Sequence, residues 1–433
     1  MGTIMKNLLL FVFILFCLIS CKRKENSVDI ESPENQIAIG HIDSVYSNIL
    51  DESRRLWIHV PESANDSSSY KTKYPVLYLL DGPSHFSSVT GMMEQLSPAS
   101  GNMIVPEMII VGIANTNRSL DLTPSHVDID FISGDSIPYP SGGGNKFLDF
   151  IEKELVPHIE KTYPASQYRT FIGHSFGGLS VINALVNRQS LFNNYIAIDP
   201  SLWWDNRAFL NVADSVLSEN KFDKRALYVG VANTMEAGMN IEKVQNDSVP
   251  DSNFTVHIKS ILQFVKSIEA SNDNGLLFKW KYYQNDDHGS VPLITEYDAL
   301  RFLFSWYKMD GVNEFFSEKS TLTVQELLGL INSHFAKVSD KFGYLVLPPE
   351  QFINSMGYGF MNNDMLDKAS SLFDLNIQNY PESSNVYDSR GDCFLAQQDS
   401  ITALKYFTKA MEVGDNNFSQ EKIDMLKENL NIE

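Results

Sequence analysis

From residue 37 onward the chain alternates short apolar runs with longer amphipathic ones. Eight of the short runs are rich in Val, Ile and Tyr and read as strands. In chain order they are IGHIDSVYSN, RRLWIHVP, YPVLYLLDG, PEMIIVGIA, YRTFIGH, NYIAID, RALYVGVA and FKWKYYQN. Between them lie helix-like stretches at 145–163, 176–189, 253–273 and 291–309. Strands that alternate with helices imply a mostly parallel sheet covered on both faces. The first two strands stand ahead of that alternation and are expected to pair antiparallel. The expectation is an α/β fold around an eight-stranded sheet.

Beyond residue 317 the strand pattern stops and the chain becomes helix-like. Gly357 and Gly391, Ala369 and Ala403, and Phe373 and Phe407 form pairs 34 residues apart. Small residues recurring at that period let helices cross closely, and the segment resembles tetratricopeptide repeats. Such repeats bind a peptide or protein partner, or pack as a helical cap on the neighbouring domain. The expected organisation is a leader at 1–20, a polar tether at 21–36, an α/β domain at 37–310 and a helical domain at 318–433.

The leader changes the picture of where the protein resides. MGTIMKNLLLFVFILFCLISC has one lysine, an unbroken apolar run too short for a comfortable span, and a small residue before Cys21. That ending resembles the lipobox of bacterial lipoproteins, which implies lipidation of Cys21 and a cell-envelope location, periplasmic or surface-exposed. Acyl chains hold a protein on a bilayer without a spanning helix. Cys17 leaves with the leader, so only Cys393 remains as a free thiol, and a cysteine metal cluster is excluded. The formal net charge of −20 becomes −21 once Lys6 is removed. No basic surface for a nucleic acid is expected from such a balance.

The candidate chemistry sits in RTFIGHSFGGLSVINAL. Gly173-His174-Ser175-Phe176-Gly177 fits G-x-S-x-G between a strand and a helix, the context in which a serine is exposed on a strained turn as a nucleophile. Glycines two positions to either side suggest that a Cβ would clash in so tight a turn. A serine hydroxyl needs a base, and in the order Ser, acid, His that base is His288, in the polar loop after the last strand. The acid is expected on the loop after RALYVGVA, where Glu236 is the first carboxylate and Asp247 and Asp251 are alternatives. Backbone N–H groups must hold the oxyanion. Phe176 supplies one. Gly82 supplies the other, or Ser84, since Pro83 has no N–H.

Taken together, LYLLDGPSHF, NRSLDLTPSH, the stretch from GGGNKF to SFGGL, AIDPSLWWDN and DDHGSVP resemble the esterase-D-type esterases. That group includes ferric siderophore esterases and relates to feruloyl and acetyl-xylan esterases. The resemblance covers roughly residues 37–310 and implies an α/β-hydrolase fold and a serine esterase without metal or cofactor. Its substrates would be siderophore lactones or acylated saccharides. It also implies that Arg118, Asp121, Trp203 and Trp204 lie near the cleft. The contrasting expectation is a lipoprotein adaptor that recruits a partner through its repeats and has lost activity.

Cys21→Ala is expected to release the protein from the membrane fraction, or block its processing, in a lipoprotein-competent bacterium. Fractionation and electrophoretic mobility like the wild type would rule out lipidation at Cys21.

Overall fold

The computed structural model describes residues 36–65, 72–131, 133–246, 248–271, 273–315, 321–414 and 417–431. The leader, Cys21 and Asp247 lie outside the described residues. The eight apolar runs form strands β1 (His41–Ser47), β2 (Glu52–His59), β3 (Tyr74–Leu79), β4 (Ile109–Ile113), β5 (Ala165–His174), β6 (Asn194–Ile198), β7 (Ala226–Ala232) and β8 (Leu277–Tyr283). They make one sheet in the order β1-β2-β4-β3-β5-β6-β7-β8. β1 pairs antiparallel with β2, β2 antiparallel with β4, and every later pairing is parallel.

Burial follows position in the sheet. β3, β4, β6 and β7 are buried at every residue, as expected for strands covered on both faces. β1, β2 and β8, at or near the edges, alternate buried or half-buried positions with exposed ones. On one face pack α1 (Gly82–Leu96), which follows β3, and α9 (Val291–Leu303), which follows β8.

The opposite face is covered by α3 (Gly144–Phe150) and α4 (Val156–Thr162), which are joined by a π turn. α5 (Phe176–Asn187), α6 (Ala208–Glu219) and α8 (Val256–Ala270) complete that layer. Two short helices, α2 (Arg118–Leu122) and α7 (Ile241–Gln245), lie in the loops after β4 and β7. The helix expected at 145–163 is thus two helices around a bulge, because the backbone widens from α to π hydrogen bonding over Ile151–Leu155.

After the short α10 (Val312–Phe315) come six longer helices. They are α11 (Val324–Phe342), α12 (Glu350–Asn362), α13 (Leu366–Asn379), α14 (Ser384–Ala396), α15 (Ser400–Val413) and α16 (Asn417–Leu430). α11 opens with a capping box, in which Thr323 and Glu326 each satisfy the other's backbone N–H. The period of 34 has a physical basis here. A Cβ on Gly357 of α12 would lie 2.5 Å from the Phe373 ring of α13, and one on Gly391 of α14 would lie 2.5 Å from the Phe407 ring of α15. Each glycine admits the ring of the helix that follows it. The helical region shares a core with the α1/α9 face of the sheet, where Tyr168 of β5 meets Phe342 edge-on with centroids 4.9 Å apart.

Gly391→Ala is therefore expected to destabilise the protein by about 1–3 kcal/mol, the usual cost of overpacking. Gly329→Ala, where the added Cβ meets nothing within 4 Å, should be neutral or slightly stabilising. Thermal unfolding of the two variants side by side checks the pair.

Candidate active site

The sharp turn between β5 and α5 is built by Ser175, with φ 61° and ψ −116°. Such a conformation is costly for a residue with a side chain and persists where the surroundings impose it. Ser175 N–H donates to the Ile198 carbonyl at the end of β6 (2.9 Å), and Ser201 N–H donates to the Ser175 carbonyl (3.1 Å). The Ser175 and Ser201 hydroxyls are 3.2 Å apart. The loop after β6 thus clasps the turn from both sides. The flanking glycines are unequal. A Cβ on Gly173 would lie 2.4 Å from the Gly177 carbonyl, whereas a Cβ on Gly177 would meet its nearest neighbour, Asp81 Oδ2, at 3.4 Å. Only Gly173 is sterically required.

His288 stands on the loop between β8 and α9 and is 43% exposed. Asp287 fixes that loop, since its Oδ1 accepts the Gly289 and Ser290 N–H groups (both 2.9 Å). The carboxylate against the imidazole is Asp199, with its Oδ2 2.6 Å from His288 Nδ1. The expectation put the carboxylate partner of His288 on the loop after β7, whereas the structure sets Asp199, after β6, against it. Glu236 is an exposed side chain on that loop. Asp251 is turned away into ion pairs with Arg207 (2.7 Å) and Lys259 (2.8 Å). Asp247 lies outside the described residues. The physical reason is the register of the sheet: β6 adjoins β5, so the residue after β6 stands beside the turn after β5.

Asp199 is fully buried and meets three donors. Its Oδ1 accepts Ala232 N–H (2.9 Å), and its Oδ2 is shared by His288 Nδ1 and His257 Nε2 (2.8 Å). Burial opposes the charge, but the charge of His257 and the bonds from His257, His288 and Ala232 outweigh it, so the carboxyl stays far below its usual range. The donor atoms of Asp199, His257 and His288 lie within 4.8 Å of one another, a set that suits a divalent ion. Each atom is already hydrogen-bonded, and those bonds account for the grouping.

A family model described as "Putative esterase" matches residues 47–268, just over half of the chain. The chain belongs to this esterase family. The ferri-bacillibactin esterase BesA of Bacillus subtilis is 27% identical over 239 residues, covering 53% of this chain and 78% of that protein. A siderophore enterobactin esterase of Emericella nidulans is 33% identical over 154 residues, covering 33% of this chain and 51% of that protein. Among solved structures, an IroE-like serine hydrolase from Shewanella oneidensis superposes with a TM-score of 0.62 at 29% identity, over 78% of this chain and 99% of that one.

In this esterase the remaining predicted residues fall into three groups. Phe176 and Gly82 both begin helices beside the turn. Ser84 N–H is occupied by the Asp81 carbonyl (2.9 Å). Arg118 brackets the site. Its guanidinium holds both oxygens of Asp81 (2.7 and 2.9 Å) and the His174 carbonyl (3.1 Å). Asp121, by contrast, is buried away from the cleft against Arg54 (2.7 Å).

The two tryptophans also part company. Trp203 is half-buried beside Phe176. Trp204 is 1% exposed and donates its Nε1–H to the Ser125 carbonyl (3.1 Å), so it is a buried residue whose ring packs edge-on against Phe176 with centroids 5.1 Å apart. His174, whose ring lies tilted against that of His288 with centroids 4.4 Å apart, is driven down to about 4, chiefly by burial.

Asp199 and His257 were missed by sequence reasoning. Asp199 had a local signal, a carboxylate directly ending a buried parallel strand in AIDPSLWWDN. His257 had none, since it lies on a helix far along the chain.

Gly173→Ala should abolish folding or soluble expression, or leave an inactive protein, whereas Gly177→Ala should retain activity within about tenfold. Activity assays and circular dichroism on both variants check this asymmetry.

Proposed function

We propose that the protein is a serine esterase that works through an acyl-enzyme, with Ser175 as nucleophile, His288 as base and Asp199 as acid. The observation that carries this reading is the buried Asp199 carboxylate seated on His288 Nδ1 while its own strand end bonds the backbone of Ser175. With Nδ1–H donated to Asp199, the other nitrogen of His288 is left to accept the serine proton. Attack on the ester carbonyl places charge on its oxygen, which the Phe176 and Gly82 N–H groups stabilise. Collapse breaks the C–O bond, and His288 returns its proton to the departing alcohol. Water, activated by the same imidazole, then attacks the acyl-serine and releases the acid and Ser175.

For the substrate we infer an ester or lactone of a siderophore, in preference to an acylated or feruloylated saccharide. Support comes from the relatives named above, which are described as esterases of bacillibactin and enterobactin siderophores. The match spans about half the length of the fungal relative. No helix among the described residues is long and apolar enough to cross a membrane, and attachment through lipidated Cys21 in the cell envelope remains our reading of the leader. The C-terminal repeats act in this reading as a cap that shares its core with the sheet, and the inactive-adaptor alternative has no comparable support.

Ser175→Ala should abolish p-nitrophenyl ester hydrolysis and labelling by a fluorophosphonate while leaving the melting temperature nearly unchanged. Asp199→Asn should lower kcat by up to ~10⁴, while Glu236→Gln should stay within about threefold of wild type. Near-normal turnover in Asp199→Asn would remove Asp199 as the acid. An assay of purified protein on catecholate trilactone, feruloylated saccharide and simple acyl esters tests the substrate class.

A further inference from the structure

Behind the active site, α9 carries a carboxyl group that the triad does not use. Glu296 is 1% exposed, and neither of its oxygens has a hydrogen-bond partner among the described residues. Such a group is expensive to leave unpaired and aims at something. The basic nitrogen beside it is Nδ1 of His85 on α1, 3.5 Å from Oε1 and about half an ångström beyond a good hydrogen bond.

His85 lies three residues after Gly82, with its side chain 17% exposed. Its ring meets that of His174 edge-on with centroids 6.1 Å apart, and His174 in turn lies tilted against His288. The three imidazoles form a row from the triad to the Gly82 loop.

Charge decides how Glu296 and His85 meet. Burial holds the carboxyl up to about 8, so it carries its proton at neutral pH. Burial also lowers His85, against the pull of Asp81 and with the repulsion of Arg118, so the ring is neutral. A neutral acid can accept Nδ1–H on its carbonyl oxygen or donate its O–H to Nδ1, and only the second gives the buried O–H a partner, since neither oxygen has another among the described residues. The proton of the ring is then on Nε2.

We propose that Glu296 fixes the tautomer of His85, so that His85 Nε2–H hydrogen-bonds an acceptor oxygen on the acyl side of the bound ester. His85 is a specificity-determining residue in this account, and Glu296 is a positioning residue acting through it. The inference rests on the esterase reading above. It adds a donor that is not an oxyanion-hole N–H and that is present only while Glu296 is protonated.

Other groups around the pair do not supply the same switch. Asp81 and Arg118 are bonded to each other, and His174 is neutral across the range that matters. From β7, which packs against α9, Tyr228 is raised to about 12 and stays protonated. Asp298, on α9 itself, is held by Lys281 and Tyr283. Above about pH 8 the carboxyl ionises, draws the imidazole proton to Nδ1 and turns Nε2 into an acceptor. The contribution is therefore complete below that pH and lost as pH rises through it.

The test is steady-state hydrolysis of p-nitrophenyl methoxyacetate, whose acyl group carries an ether oxygen beside the carbonyl, from about pH 6 to 9.5, with kcat and KM separated and p-nitrophenyl acetate, which lacks that oxygen, as the control. For the wild type, KM should rise about tenfold above pH 8 while kcat changes less. Glu296→Gln keeps an N–H donor toward Nδ1 at every pH, so its KM should remain low and flat. Glu296→Leu, an apolar replacement in a buried site, should show the raised KM throughout. A wild-type KM that stays flat to the top of that range, or Gln and Leu variants with the same profile, would overturn the proposal. Fluorophosphonate labelling of the wild type separates the two readings: an unlabelled Ser175 sinks the esterase mechanism, whereas a labelled one with indifferent Glu296 variants sinks only this inference.

Discussion

Asp199 stays ionised just beyond the C-terminal end of β6 because three donors from three separate parts of the chain converge on it. Its neighbours are bound by the same geometry. Ala232 ends β7, His257 opens α8, and His288 follows β8. A buried carboxylate without such partners would take up a proton or force the fold apart. Meeting that one requirement brings β6, β7, α8 and the loop after β8 into register. Because Ile198 and Ser201 also bond the backbone of Ser175, the same stretch sets the nucleophile relative to the base.

The sheet was legible because each strand is a short apolar run closed by a turn residue, and burial on both faces makes the inner runs almost continuous. Ser175 and His288 stand out in the sequence for a related reason: Ser175 directly follows a strand, and His288 sits in the loop just after one. The carboxylate that meets His288 does not. Reading along the chain ranks carboxylates by which strand they follow, and Glu236 follows β7 closely. What decides the matter is adjacency across the sheet, and β6 is the neighbour of β5. Nor can a sequence distinguish half-buried Trp203 from buried Trp204, neighbours whose rings both pack against Phe176.

The bracket formed by Arg118 shows how a residue at a cleft can be misjudged by its charge. Its guanidinium is engaged by Asp81 on one loop and by the carbonyl of His174 on another element. A lysine could not match that forked geometry. The loop bearing Gly82 is thus tied to the strand that ends beside Ser175, an arrangement that fixes the two elements relative to each other before any ligand arrives.

The aromatic seam where Tyr168 and Trp306 meet Phe342, with Phe304 packed against both of them, has a consequence for how the molecule comes apart. Tyr168 belongs to the strand that delivers Ser175, and Phe304 directly follows the helix that carries Glu296. Loss of α11 would therefore bare rings on β5 and at the end of α9 together. The strand that leads into Ser175 and the first long C-terminal helix share one set of packed rings, so a protease that clips within the helical region loosens the support of that strand without touching Ser175 or His288.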